Sequence, residues 1–153
     1  MQLNSPITIA EANERDVDGL SALFDAYRVF YGRASDLPGA KRFVAARCAQ
    51  GPTRFFVAAD AGEAAGFMHL LPSFDTLAMR PMWILEDLYV DETHRKRGVG
   101  SALLRHAEAF ARASGAARLS LTTAMTNQTA QRLYAAHGWE RDTHFVPYHR
   151  MLP

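Results

Sequence analysis

The sequence contains a single cysteine, Cys48, and no long hydrophobic stretch. One cysteine excludes a disulfide within the chain and suits a reducing compartment. No apolar run approaches the ~20 residues that a membrane-spanning helix needs. The first residues, MQLNSPITIAEANERD, show neither the basic start nor the apolar core of a signal peptide. We therefore expect a cytoplasmic protein without a membrane partner.

The sequence also lacks a large excess of positive or negative charge. The chain has 17 lysines and arginines against 16 acidic residues, a net charge of +1, which argues against a broad basic face for nucleic acid. The six histidines show no HExxH or CxxC pattern, so we expect no metal site. With 48% hydrophobic and 22% charged residues and no linker, residues 1–153 predict a single globular domain.

What the chain does contain is a series of apolar periodicities. Steps of three and four residues predict helices, and alternation predicts strands. Four glycines, Gly32, Gly51, Gly115 and Gly138, follow helical stretches and are expected to end them in the left-handed conformation. The order βααβββαβαβ predicts an α+β fold with a mixed sheet. The predicted helices are 14–31, 38–50, 98–114 and 127–136, and the predicted strands are 7–12, 54–60, 64–71, 82–90, 118–123 and 145–151.

The most informative stretch is LEDLYVDETHRKRGVGSALL, residues 85–104. An apolar strand runs into a basic loop, and Gly98-Val99-Gly100 then begin a helix. The first turn of a helix has backbone N–H groups without internal partners, and its dipole favours negative charge. The stretch therefore predicts an anion site.

Two known phosphate-binding motifs do not match this sequence, which narrows the identity of the anion. A phosphate-binding P-loop needs a lysine that is absent here, and a dinucleotide fingerprint needs a glycine or alanine where Leu103 stands. A diphosphate held by an RxxGxG loop remains.

At this point the chain resembles the GNAT superfamily of N-acetyltransferases. Its RKRGVG loop, residues 95–100, looks like the RxxGxG signature that binds the diphosphate of acetyl-CoA. Downstream, NQTAQRLYAAHGW, residues 127–139, resembles the NxxAxxLYxxxG(F/W) block of the superfamily. The resemblance implies a GNAT fold, acetyl-CoA as co-substrate and no metal.

The resemblance also implies roles for individual residues. Residues 88–90 match the strand that pairs with the pantetheine arm, residues 95–101 match the diphosphate loop, and Tyr134 matches the tyrosine beside the cofactor sulfur. The implied cofactor-binding residues are Leu88, Tyr89, Val90, Arg95, Lys96, Arg97, Gly98, Val99, Gly100, Ser101, Asn127, Ala130 and Tyr134.

Two of these residues suit the chemistry of acetyl transfer. An alkylamine has a pKa of about 10.4 and must lose a proton before it attacks. LEDLYV is similar to the strand of spermidine/spermine and related polyamine or histone acetyltransferases in which a glutamate, here Glu86, faces the acceptor, so Glu86 is the expected proton acceptor. Asp87 is expected on the opposite sheet face unless a bulge intervenes. Tyr134 can donate a proton to the departing thiolate.

The acceptor is expected to be a small polyamine- or diamine-like molecule or a lysine-type amine. In the superfamily the first helices line the acceptor site, so Tyr27, Tyr31 and Asp36 are candidate substrate contacts beside Glu86. The stretch 72–82 is expected to be a loop that covers the acceptor.

Other interpretations remain open. Asn127 is also a candidate helix cap, Glu86 a candidate structural carboxylate, and Cys48 is expected to be an inert core residue. The whole chain is alternatively a non-catalytic acyl-CoA sensor, or a partner protein that assembles through the predicted strand 145–151. A homodimer through that strand is compatible with catalysis.

Overall fold

A computed structural model describes residues 6–153. Residues 1–5, on which part of the argument against a leader peptide rests, lie outside the described range. The chain divides into two compact units, one ending at Thr122 and the other spanning Thr123–Pro153. The single domain over residues 1–153 stays a prediction. None of the described helices is both long and apolar enough to cross a membrane.

The first unit contains three α-helices, α1 (Val17–Phe30), α2 (Leu37–Gln50) and α3 (Val99–Ala113). Before α1 a short 3-10 turn is capped by Asn13, whose side chain accepts from the Arg15 amide. Asp36 caps α2 by accepting from the Gly39 amide at 2.9 Å. These caps satisfy amides that the helices leave without internal partners.

A sheet of five strands forms the centre of this unit, and it is mixed, as predicted. The strands follow one another in the order β1-β2-β3-β4-β5, antiparallel up to β4, with β5 parallel to β4. Their bounds are Thr8–Glu11 for β1, Arg54–Asp60 for β2, Glu63–Asp75 for β3, Arg80–Val90 for β4 and Leu119–Ser120 for β5.

The two faces of the sheet pack against different helices. Phe55 and Phe67 contact Phe24 of α1 through their rings, within a core cluster that includes the buried Leu20 and Val44. On the other face, the Phe56 ring lies 5.2 Å from that of Phe110 in α3. Strand alternation therefore separates an α1 face from an α3 face.

The second unit contains α4 (Gln128–Ala136). The predicted strand 145–151 is wrong, because these residues form no strand. Phe145 and Tyr148 are largely exposed, and Pro147 has no amide hydrogen for a sheet ladder. The element order therefore ends at α4.

Two further expectations are corrected. The stretch 72–82 is mostly strand, because β3 runs to Asp75 and β4 starts at Arg80, which leaves only a tight turn between them. Gly51 is not left-handed, with φ −23°, since the chain turns directly into an extended path after α2. The other three predicted helix stops, Gly32, Gly115 and Gly138, are left-handed as expected.

Candidate active site

The β4 strand has one edge that is only partly used. Its pairing with β3 extends from Arg80 to Val90, whereas its pairing with β5 is limited to Trp83 and Ile84. From Leu85 onward, no strand within the described chain pairs with that second edge. An unpaired edge offers backbone donors and acceptors to an extended ligand. The predicted pantetheine strand, residues 88–90, lies at this edge.

A β-bulge lies at Glu86. Asp87 pairs with His69 and Leu85 pairs with Leu70, so Glu86 is the extra residue in β4. An extra residue reverses the alternation of every residue beyond it. Asp87 therefore does not face away from Glu86, and the exception raised for a bulge applies.

Tyr27 shows where the two carboxylates lie. The side chain of this half-buried tyrosine of α1 lies near both acids, because the charges of Asp87 and Glu86 act on it. Burial, followed by these negative charges, raises the pKa of Tyr27 well above its ordinary value. Both acids therefore lie on the α1 face. Glu86 is exposed, while the Asp87 side chain is 13% exposed.

The predicted substrate contacts are only partly brought together. The Tyr31 ring lies 5.1 Å from the Tyr27 ring and is about half exposed, so these two residues and Glu86 share one region. Asp36, by contrast, caps α2, and its own amide donates to Asp25 at 2.8 Å. Asp36 thus has a structural role in this arrangement.

The basic loop before α3 has the backbone geometry of an anion site. Lys96 and Gly98 are left-handed, with φ 61° and 88°, a conformation that turns neighbouring amides toward one side. The first hydrogen bond of the α3 ladder runs from the Ala102 amide to Gly98 O at 3.0 Å. The turn before Ala102 therefore lies ahead of the regular helical hydrogen bonds. Val99 is buried and fixes this turn to the core. This geometry suits an anion, and the contact with a diphosphate stays a prediction.

The two arginines of the loop are already engaged. Arg95 donates from Nε to Val90 O at 3.1 Å and lies over the Phe30 and Tyr89 rings. Arg97 Nε is 3.2 Å from Asp60 Oδ2, a carboxylate that is 8% exposed. Both contacts attach the loop to the sheet, while Lys96 is exposed. That these three side chains bind the cofactor stays a prediction.

The remaining predicted residues lie in the second unit, on and before α4. Asn127 accepts from the Ala130 amide at 3.1 Å, which confirms that it caps the helix. Tyr134 is half-buried, and its ring lies 6.1 Å from that of Trp139. The cofactor contacts of these residues stay predictions.

His69 and Asp60 were not singled out from the sequence. His69 lies in the apolar stretch FMHLL, where a polar residue on a buried strand is a recognisable signal. Asp60 ends β2 at an ordinary turn, and nothing in the sequence pairs it with Arg97.

Cys48 is confirmed as a residue packed against the core. Burial, and to a smaller extent the charge of Asp16, raises the pKa of its thiol. A raised thiol pKa disfavours the reactive thiolate. Among the described residues, no group of histidines, cysteines and acids is arranged to hold a metal ion.

Comparison with known proteins agrees with this geometry. Residues 20–139 match the model of the acetyltransferase (GNAT) family. The chain is 38% identical over 147 residues to YhfO, an uncharacterized N-acetyltransferase of Bacillus subtilis strain 168, covering 96% of this chain and 99% of that protein.

Solved structures agree as well. The crystal structure of a probable acetyltransferase superposes with a TM-score of 0.89 at 33% identity and covers 95% of this chain and 98% of that one. An aminoglycoside acetyltransferase from a soil metagenome has a TM-score of 0.78 at 16% identity, with 96% and 97% covered. At that identity it supports the fold alone.

Proposed function

Since the chain belongs to the acetyltransferase (GNAT) family and is an acetyl-CoA-dependent N-acetyltransferase, we propose that its acceptor is a cationic primary amine. The acceptor is a small polyamine- or diamine-like molecule, or a lysine-type amine. The family membership supports the transfer, and the local charge of the site supports the class of acceptor.

The observation that carries the proposal is the bulge at Glu86. It places two neighbouring carboxylates on the α1 face, where both act on Tyr27. The rings of Tyr27, Tyr31 and Phe30 form a chain of contacts beside them. Carboxylates attract an ammonium group by charge, and aromatic faces attract it through their quadrupole. An anionic acceptor would be repelled from the same surface.

The residues divide the chemistry between them. Acetyl-CoA supplies the acetyl thioester when it is bound. The loop from Lys96 to Ser101 binds its diphosphate through backbone amides. Glu86 accepts the proton that the ammonium must lose, directly or through water, so that the amine nitrogen can form the new C–N bond. As the C–S bond breaks, Tyr134 donates a proton to the sulfur, and the second proton that the nitrogen loses on forming the amide restores the phenol through solvent. No acyl-enzyme is required.

A screen of acceptors tests the proposal. Purified protein and acetyl-CoA are incubated with diamines, polyamines, lysine peptides, and neutral and anionic amines of matched size, and thiol release is followed. We expect turnover with the cationic acceptors. Turnover confined to neutral or anionic acceptors would contradict the proposed class.

The same assay tests the alternative of a non-catalytic acyl-CoA sensor. A sensor would bind coenzyme A in calorimetry and release no thiol with any amine. Both Glu86 and Tyr134 are present in the chain, which favours the enzyme. Well-folded protein that does not bind coenzyme A at all would contradict both interpretations.

A further inference from the structure

His69 is a buried imidazole in the middle of β3. The residue is 3% exposed, and its ring stacks on Phe55 with 3.9 Å between centroids and 8° between planes. Burying a polar ring has a free-energy cost unless the ring is hydrogen-bonded. The stacking fixes the plane of the imidazole, so its polar atoms point in defined directions.

The hydrogen bond of His69 is made to Asp87. Nδ1 lies 3.1 Å from Asp87 Oδ2, and because an ionised carboxylate only accepts, Nδ1 is the donor. The other ring nitrogen, Nε2, is buried and has no hydrogen-bond partner among the described residues. Among the described residues, the Asp87 carboxylate is therefore the hydrogen-bond partner of the His69 ring.

Asp87 is thereby held by a buried partner. Its charge also acts on Tyr27 of α1, and Asp87 directly follows the bulge residue Glu86, with 13% of its side chain exposed. An ionised carboxylate has about four acceptor sites, so the contact with His69 leaves capacity for a ligand. A fixed carboxylate also binds a cation with a smaller entropic cost than a mobile one.

We propose that His69 is a positioning residue for acceptor binding, which orients Asp87 so that Asp87 and Glu86 converge on the ammonium group of the amine. The proposal rests on the proposed acetyl transfer to a cationic amine. His69 does not touch the substrate; it acts through Asp87, and Phe55 in turn fixes His69.

Two substitutions at one position test the role. His69→Leu removes the donor and keeps an apolar side chain in the core, whereas His69→Asn places an amide donor near the position of Nδ1. The loss of a hydrogen bond to a charged group predicts a rise of about tenfold in the KM for the amine in His69→Leu. We expect a smaller change in kcat, an unchanged Kd for coenzyme A, and recovery of KM in His69→Asn.

A control on the other sheet face separates this role from general packing. His106 of α3 is also partly buried, and its ring lies 4.9 Å from that of Phe56. His106→Leu is expected to leave the KM for the amine unchanged. Thermal unfolding of each variant shows that the folded state is retained.

A double-mutant cycle gives the decisive measurement. If His69 acts through Asp87, then His69→Leu adds little to the KM increase that Asp87→Ala causes alone. Additive effects, or an unchanged KM in His69→Leu, would overturn the proposal while transfer by the wild-type protein leaves the proposed function intact. A wild-type protein without transfer to any amine would overturn both.

Discussion

At the scale of single residues, Tyr134 offers the sharpest test of the chemistry. Tyr134→Phe removes one oxygen atom and keeps the ring that lies near Trp139. General acid catalysis contributes about 10²–10⁴-fold to rate. We therefore expect kcat to fall at least about a hundredfold, with a nearly unchanged Kd for coenzyme A measured by calorimetry. An unaltered rate would remove Tyr134 from the proton-donor role.

Glu86 is tested in the same way. Glu86→Gln keeps the size of the side chain and removes the proton acceptor, so kcat/KM for the amine should fall by about 10²–10⁴-fold at neutral pH. Glu92 is an exposed acid beyond the end of β4, and Glu92→Gln is a matched control with little expected effect. Equal kinetics for the two variants would show that Glu86 is not the base.

The candidate site was predictable where residue type alone carries information. The glycines and basic residues of 95–101 indicate an anion loop, and Asn127 was recognisable as a cap. The contact between Asp87 and His69 was not predictable, because it depends on the bulge in β4 and on the pairing of β4 with β3. Pairing across strands is a tertiary property that local sequence does not contain.

At the scale of elements, one glycine before a helix and one inside a helix should respond in opposite ways to alanine. Gly98 is the N-cap residue of α3 with φ 88°, a left-handed conformation that costs an alanine roughly 1–2 kcal/mol. Gly19 lies inside α1, where an added Cβ meets only Ala64 at 3.8 Å. In urea unfolding we expect Gly98→Ala to destabilise the protein by that amount, and Gly19→Ala to stabilise it by about 0.5–1 kcal/mol.

Coenzyme A binding distinguishes the two variants further. Gly98→Ala alters the loop that is proposed to hold the diphosphate, so its Kd should rise, while Gly19→Ala should leave the Kd unchanged. If both variants bind as the wild type does, the backbone of the loop does not depend on Gly98.

The connection between α1 and α2 predicts a pH dependence of stability. Asp25 accepts hydrogen bonds from the Ser35 hydroxyl and the Asp36 amide, and these bonds lower its pKa below the ordinary 3.8. A carboxylate with a lowered pKa stabilises the folded state above its unfolded pKa and loses that contribution as the pH falls through the folded value.

Asp25→Asn should therefore lower the melting temperature at pH 7. The difference from the wild type should narrow as the pH falls below about 3.8, where Asp25 of the wild type takes up a proton. Asp18→Asn is the control, since the ion pair of Asp18 with Lys41 is exposed, and such pairs contribute about 0–1 kcal/mol. A constant difference for Asp25→Asn from pH 7 to 2 would contradict the role of its charge.

The elements themselves were largely predictable. The bounds of β2 and α2 agree with the expected ranges within a residue, because apolar periodicity and caps mark them. The strand 145–151 was not formed, although its residues favour strands, because strand propensity depends on a partner. For the same reason β5 is limited to Leu119–Ser120.

At the scale of the whole molecule, the oligomeric state is open to a direct measurement. The C-terminal residues Phe145, Val146, Tyr148 and Met151 are largely exposed, an unusual amount of apolar surface for one short segment. We propose a homodimer and expect light scattering to give twice the 17.0 kDa of the chain. Phe145→Ser with Tyr148→Ser should shift the mass toward one chain, and a wild-type mass of one chain would contradict the homodimer.

The extra residue in β4 makes Glu86 a position at which this strand could change its length without changing its faces. Deleting Glu86 would restore regular alternation, because Leu85 would still pair with Leu70 and Asp87 with His69. Asp87 would therefore stay on the side of Tyr27, and the site would lose a single carboxylate. For anyone who redesigns this enzyme, a one-residue insertion or deletion elsewhere in β4 would exchange the two surfaces of the sheet, whereas this deletion would not.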